Sequence, residues 1–278
     1  MLATDRYARD YPVALYRNDR PARPVDRLDR IDAEGVDRFG TDGFLAVRSA
    51  LTADQVESAM VGLDEVLADP APEVSLQLES WADPTTTDRD ERLDGVRRLM
   101  RFTESNRRLL AIAEDPHILA AARRLLGADQ VRMIQDMALL KPPGGGREKP
   151  WHQDKAFFNL DLAAPVIGVW IALDAATPEN GCMHVIAGSH RGGAVPHFDR
   201  RDWQICDDQV DAGRDVVVPL EPGGLMLFDG YLQHGTPANL TDTRRRALQF
   251  HYAAADIESI TDDDRMAVFG LEGRGAEC

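Results

Sequence analysis

The sequence predicts a mainly β protein, a sandwich or barrel-like jelly roll with helices packed on its outside. Three observations predict it. Helical periodicity is confined to residues 31–127, short apolar runs between Gly/Pro turns fill residues 128–255, and βαβ alternation is missing. The chain has 278 residues and no internal period, and all-β barrels of this length commonly stay undivided. The expected organisation is an N-terminal arm at 1–30 and a single domain at 31–278, with a helical flank at 31–127 and a jelly-roll core at 128–255.

Residues 1–30 are rich in Arg, Asp and Pro without an apolar period, which predicts an arm draped over the surface or partly disordered. Asp42-Gly43 then turns the chain into a strand at Phe44-Leu-Ala-Val47. Thr52 stands three residues before Gln55, the pattern of a capping box, and opens a helix with Val56, Met60, Leu63, Val66 and Leu67 on one face. Residues 69–92 read as a long loop of the kind that forms lids. Two helices are expected at about 103–114 and 116–126, with Pro116 in the first turn of the second and Gly127 as its C-cap. Strands are expected at 131–140, 166–173, 216–220, 225–228 and 247–252. Asn180-Gly181 reads as a tight turn before Met183-His-Val-Ile186.

Charge excludes several partners. Lys+Arg number 32 against 47 Asp+Glu, a net charge of −15 that repels DNA, RNA and anionic membranes. A small molecule is the expected partner, and the sequence carries no signal of oligomeric state. The first ten residues lack a secretory pattern and no run of 18 apolar residues occurs, so the expected compartment is the cytoplasm. Cys182, Cys206 and Cys278 are odd in number and far apart, which predicts neither a disulfide framework nor a zinc site.

The chemistry concentrates at Trp151-His-Gln-Asp154. On an extended strand, side chains two apart share a face, so His152 and Asp154 converge on one point. An imidazole and a carboxylate are two thirds of the 2-His-1-carboxylate set that holds Fe(II) with open positions. His234, in Asp229-Gly-Tyr-Leu-Gln-His-Gly-Thr-Pro237, is the candidate third ligand. A second H-x-D, His197-Phe-Asp199, lies in what reads as a charged loop and is the weaker pair.

Four segments in order resemble the phytanoyl-CoA dioxygenase family: Trp151-His-Gln-Asp, Val169-Trp-Ile-Ala-Leu-Asp, Glu179-Asn-Gly-Cys-Met-His-Val-Ile-Ala-Gly-Ser-His, and His234-Gly-Thr-Pro-Ala-Asn with Arg245-Arg-Ala-Leu. The resemblance runs from about residue 35 to 253 and implies a double-stranded β-helix using Fe(II), 2-oxoglutarate and O2. It matches His152, Asp154 and His234 to the iron ligands. The implied reaction hydroxylates an unactivated C–H of a small metabolite, releasing succinate and CO2. Desaturation, epimerisation or rearrangement of a natural product would use the same set, and a non-catalytic ligand-binding barrel is the alternative of another class. Asp154 argues against halogenation, because related halogenases replace that carboxylate with a small residue.

The far carboxylate of 2-oxoglutarate calls for an arginine fork. Alternation alone does not choose among Arg244, Arg245 and Arg246; the family's spacing, eleven residues after the distal histidine, matches Arg245. The resemblance likewise matches Thr236 to a hydroxyl on that carboxylate, and Trp170 and Gln135 to cosubstrate-lining positions. Ile134 and Arg98 fall near such positions too. His184 and His190 are expected to be structural histidines satisfied by backbone. Ala187 departs from the family's usual proline. Residues 69–92 and 192–213, the latter including Trp203, are the expected substrate lids.

Overall fold

The computed structural model describes residues 11–270 and residue 278. The first ten residues of the expected arm lie outside the described residues. Helix α1 (Ala33–Asp42) starts where the Asp32 carboxylate accepts the Gly35 N–H, and it ends at Gly43 with φ 82. Strand β1 (Phe44–Val47) follows, then α2 (Ala53–Ala68), opened by the Thr52/Gln55 capping box. Within the expected loop the chain forms β2 (Ser75–Leu78) and starts α3 (Arg89–Gly95), which leads into β3 (Val96–Met100). β2 was not expected because it is an edge strand of four residues, too short for its Ser-Leu-Gln-Leu alternation to establish a period.

The helix expected from residue 103 starts later, as α4 (Arg107–Ala113). Residues 101–103 instead wrap the buried Asp136 carboxylate, which accepts their three backbone N–H groups at 2.7–2.8 Å and holds Arg101 at φ 62. Helix α5 (Pro116–Leu126) has Pro116 in its first turn and Gly127 in the left-handed region.

The strands of the second half are β4 (Val131–Lys141), β5 (Lys149–His152), β6 (Val166–Ala172), β7 (Met183–Ile186), β8 (His197–Asp199) and β9 (Trp203–Ile205). They continue with β10 (Asp215–Val218), β11 (Leu225–Asp229), β12 (His234–Thr236) and β13 (Arg245–Ala254), before α6 (Asp262–Phe269). Two antiparallel sheets make the jelly roll, a seven-stranded one ordered β1-β11-β6-β13-β4-β3-β2 and a four-stranded one ordered β10-β7-β12-β5. The fold is the double-stranded β-helix expected from the sequence, with the helices on the outer face of the larger sheet.

Alternation sorts each strand. Val169, Ile171, Leu248 and Phe250 face outward and join Leu63, Leu109 and Ile118 of the helices in one core cluster. Trp170, Met183, Phe228 and Ala247 form a second cluster between the sheets. At a fully buried side chain each such burial contributes about 1.5–3 kcal/mol.

Residues 11–25 are a strap across the edges of both sheets. Parallel bridges join Pro21 to Val217 of β10 and Val25 to Val47 of β1, both edge strands, and Tyr11, Leu15 and Tyr16 are buried. The cysteine expectation needs correcting: Cys206 and Cys278 are joined in a disulfide with Cα atoms 5.4 Å apart, leaving Cys182 free and buried. Their 72-residue separation hid the pair, since a cross-link at that distance is a property of the folded chain. Among the described residues no helix is long and apolar enough to cross a membrane.

Candidate active site

Strand β5 ends at His152, Gln153 stays extended, and Asp154 opens a single 3-10 turn, Asp154–Phe157. Asp154 therefore stands two residues past the end of the strand on which it was expected, yet the extended Gln153 still turns both side chains the same way. Strand β12 places His234 directly opposite His152 in the cross-strand register. The potential ligand atoms of His152, Asp154 and His234 all lie within 4.8 Å of one another. Nε2 of His152 is 3.2 Å from Asp154 Oδ1, and Nε2 of His234 is 3.6 Å from Oδ2.

Both rings are set the same way. Nδ1 of His152 donates to the Pro150 carbonyl at 2.8 Å, and Nδ1 of His234 to the Leu232 carbonyl at 2.9 Å. That bond assigns the proton to Nδ1 and turns the Nε2 lone pair towards the shared point. Burial and the neighbouring His152 push His234 down to about 3, so it stays a neutral imidazole. Burial opposes the charge of Asp154, but His234 and His251 beside it hold its carboxyl well below the usual range. Two neutral nitrogens and one carboxylate on one side of a point are the donor set of a six-coordinate ferrous ion with open positions, and the residues fit that ion.

A cavity opens beside the triad, lined in part by Met137, Lys141, Phe157, Thr236 and Arg245. Arg245 is 1% exposed; among the described residues its one hydrogen bond is a long one, 3.4 Å to the Leu139 carbonyl, and its Nε has no partner. Burial pushes its guanidinium down to about 10, still charged at neutral pH. Its neighbours face the other way and are paired, Arg244 with Asp94 at 2.8 Å and Arg246 with Asp174 through two bonds of 2.8 Å. Gln135 lines the cavity. Trp170 is not among its lining residues and reaches the site through Arg245, whose guanidinium carbon lies 5.5 Å from the indole ring centre.

The family model for phytanoyl-CoA dioxygenase matches residues 39–247. The chain belongs to the phytanoyl-CoA dioxygenase family. A bovine phytanoyl-CoA dioxygenase domain-containing protein 1 is 27% identical over 262 residues, covering 78% of this chain and 88% of its own. An ectoine dioxygenase of Sphingopyxis alaskensis is 27% identical over 230 residues, 76% of this chain and 72% of its own. Against the Arabidopsis thaliana phytanoyl-CoA dioxygenase, at 35% identity, the chain spans about half the relative's length, 47%. Among solved structures, EvdO2 from Micromonospora carbonacea, complexed with 2-oxoglutarate, is 26% identical with a TM-score of 0.66, covering 84% of this chain and 94% of that one. This phytanoyl-CoA dioxygenase family member is a 2-oxoglutarate-dependent oxygenase using Fe(II), 2-oxoglutarate and O2.

Several members of the site went unnoticed in the sequence. Asp154 Oδ2 accepts from His251 Nε2 at 2.7 Å and from Gln249 Nε2 at 3.0 Å. Both donors share the inner face of β13 with Arg245, so the parity that placed Gln249 beside Arg245 would also have found His251. Glycine at 168 matters here. Gly168 lies opposite Phe228 and His251, and a Cβ there would collide with the Phe228 ring, whose centroid lies 4.8 Å from that of His234.

His197 is not in a charged loop. It is fully buried on β8, where its Nε2 accepts the Gln153 N–H at 3.0 Å and its Nδ1 donates to Val195 O at 2.8 Å. The Gln153 amide is tied to Gly193, Val195 and Tyr231, so the residue between the two candidate ligands is clamped on every side. Nδ1 of His184 pairs with the buried Asp215 carboxylate at 2.9 Å and not with backbone, while its Nε2 is buried without a partner among the described residues; His190 contacts the Gly40 carbonyl.

His251→Ala should weaken Fe(II) binding about 10–100-fold, the usual cost of losing an outer partner of a ligand. Gln249→Ala should cost less, its bond being the longer one. Anaerobic calorimetric titration with Fe(II) measures both; unchanged affinity in the two variants would show that Asp154 is oriented without them.

Proposed function

We propose that this oxygenase hydroxylates an unactivated C–H bond of a small-molecule metabolite and releases succinate and CO2, with iron held by His152, Asp154 and His234. Arg245 carries the reading. A buried guanidinium without a carboxylate partner, in the cavity that the triad also lines, is suited to one end of a dicarboxylate whose other end chelates the metal. Thr236, two residues after His234 on β12, offers a hydroxyl to the same carboxylate, Gln135 lines the cosubstrate's cavity, and Trp170 supports Arg245 from behind. Bound ferrous iron supplies the O2 activation and C–H oxidation that no side chain can perform.

The chain's own task is geometry and dryness. The tautomers of His152 and His234 keep their Nε2 atoms free for the metal, and Asp154 is anchored on Oδ2 by His251 and Gln249. Met137, Phe157 and Phe158 give the cavity apolar walls that limit water at the reacting centre. The hairpin of β8 and β9 closes over them, with Trp203 edge-on to Phe157 at 5.1 Å between ring centroids. Residues 69–92 and 192–213 are the proposed lids, on one domain spanning 31–278. A cytoplasmic location belongs to the proposal; the Cys206–Cys278 bond weighs against it, because disulfides are rare in that compartment.

Trp203→Ala should raise substrate KM and the fraction of succinate formed without product, while leaving 2-oxoglutarate affinity nearly unchanged. An equal loss of both affinities would remove the hairpin from the lid role. The function itself is tested anaerobically, by adding Fe(II) and then 2-oxoglutarate to apo-protein and recording the visible spectrum. A weak metal-to-ligand charge-transfer band is the expected result, because chelation requires adjacent open positions on the ferrous ion. Bound iron without that band would turn the function towards a hydrolytic or non-catalytic barrel. Product mass then separates hydroxylation from desaturation.

A further inference from the structure

Helix α6 lies beyond residue 247, where the match to the family ends, and it holds none of the residues assigned to iron or cosubstrate. The chain is nevertheless led back to the site before the helix begins. Residues 258–260 run antiparallel to residues 159–161, with the Asp161 N–H on the Glu258 carbonyl at 2.9 Å and the Ile260 N–H on the Asn159 carbonyl at 3.2 Å. Thr261 and Asp264 then form the capping box that starts the helix.

Two residues of α6 reach towards the triad. Phe269 is fully buried, its ring centroid 5.8 Å from that of His197 and 6.1 Å from that of Tyr231. Both of those residues hold Gln153, which lies between His152 and Asp154. Arg265 makes the more direct contact. It donates to the Ala156 carbonyl, inside the turn Asp154–Phe157, and through Nε to Asn159 Oδ1 at 2.7 Å. Its guanidinium carbon also lies over the Trp203 ring, 5.4 Å from the centre. Trp203 in turn stands edge-on to Phe157, the last residue of that turn.

One side chain thus joins the β8–β9 hairpin to the segment that carries an iron ligand. A guanidinium suits that joint, because it donates in its plane while its face lies on an aromatic ring, and an ammonium has no such face. Ala156 is fully buried, so truncating Arg265 takes this donor from a carbonyl that water does not reach. Asp262, in the first turn of the helix, accepts a further bond from Arg265 and restrains it.

We infer that Arg265 is a positioning residue that couples the hairpin to the metal centre. It holds Trp203 and the Asp154 turn in one arrangement, so that substrate seated against the hairpin bears on the ligation of iron by Asp154. The inference rests on the proposed function, since it takes Asp154 as an iron ligand and Trp203 as part of a lid. Coupling of this kind is a free energy shared by two sites, so what is felt at one is returned at the other.

The test is a double-mutant cycle read as Fe(II) affinity by anaerobic calorimetry, with thermal unfolding of each apo-protein as the control for folding. Arg265→Ala should weaken Fe(II) binding about threefold to tenfold, and Arg265→Lys, which keeps a donor for Ala156, should recover part of that loss. Trp203→Ala should weaken Fe(II) binding about threefold when Arg265 is present and cause no further loss in Arg265→Ala, because the joint that transmits it is gone. Losses that simply add, unchanged affinity in folded Arg265→Ala, or no effect of Trp203→Ala on wild type would each overturn the inference. If Arg265→Ala does not fold, Arg265→Lys takes its place in the cycle: a smaller effect of Trp203→Ala there than in wild type supports the coupling, and an equal effect overturns it. Failure of wild type to bind Fe(II), or full iron retention by Asp154→Ala, would instead remove the functional reading beneath it.

Discussion

Asp154→Ala should lose iron. The substitution removes the one carboxylate among the three candidate ligands and leaves two neutral imidazoles facing a divalent cation. Outer partners of metal ligands cost about 10–100-fold in affinity when lost, and a charged ligand itself should cost at least the upper end of that range. The variant also strands the buried donors of His251 and Gln249, each an unsatisfied group worth about 1–3 kcal/mol. Lower apo stability should therefore accompany the lost iron. Asp154→Asn separates the two effects, since the amide keeps an acceptor for those donors but not the charge. His197→Ala is the informative control. It leaves all three ligand atoms in place and removes the acceptor of the Gln153 N–H and the donor to the Val195 carbonyl, so its effect on iron affinity should stay within about tenfold. Iron per chain after anaerobic desalting, with calorimetric Fe(II) affinity, measures the series. Full iron retention by Asp154→Ala would place the metal elsewhere.

Arg245→Gln should weaken 2-oxoglutarate binding by about 30-fold to about 5 × 10³-fold, from the 2–5 kcal/mol that accompanies truncation of one partner in a buried charge pair. The apo-protein should respond in the opposite sense. Its guanidinium is buried against Trp170 and beside Lys141 with no carboxylate to compensate it, so removal relieves an unpaired buried charge. Thermal unfolding without ligand should shift upward or stay level, while the stabilisation that 2-oxoglutarate gives wild type should vanish. That pair of signs distinguishes lost recognition from misfolding. Arg244→Ala and Arg246→Ala should leave 2-oxoglutarate affinity alone, because Asp94 and Asp174 already hold those side chains outside the cavity. A comparable loss in either would put the cosubstrate on the other face of β13.

Local chemistry made much of the chain legible before folding was considered. Thr52 and Gln55 specify a helix start because each satisfies a backbone donor of the other's residue. Pro116 and Gly127 mark helix ends through the backbone angles they favour. The long strands β4, β6 and β13 were readable from runs of apolar and β-branched residues, whereas the short edge strand β2 and the hairpin of β8 and β9 were not. Strands of three or four residues carry too few positions for a period, and their pairing depends on partners far along the chain.

By itself, then, the sequence determined the fold class, the family, and the residue types from which a 2-His-1-carboxylate centre can be built, because helix caps, strand alternation and motif spacing act over a few residues. Tertiary structure decided which members of those sets meet. Only the β5–β12 register sets His234 against His152, 80 residues past Asp154 in sequence. Strand β13 between β4 and β6 turns Arg245, Gln249 and His251 inward while Arg244 and Arg246 find carboxylates outside. The same packing left Arg98 without a partner and joined Cys206 to Cys278. Which buried charge is paired and which is left open depends on contacts between distant segments, and no window of sequence contains both sides of such a contact.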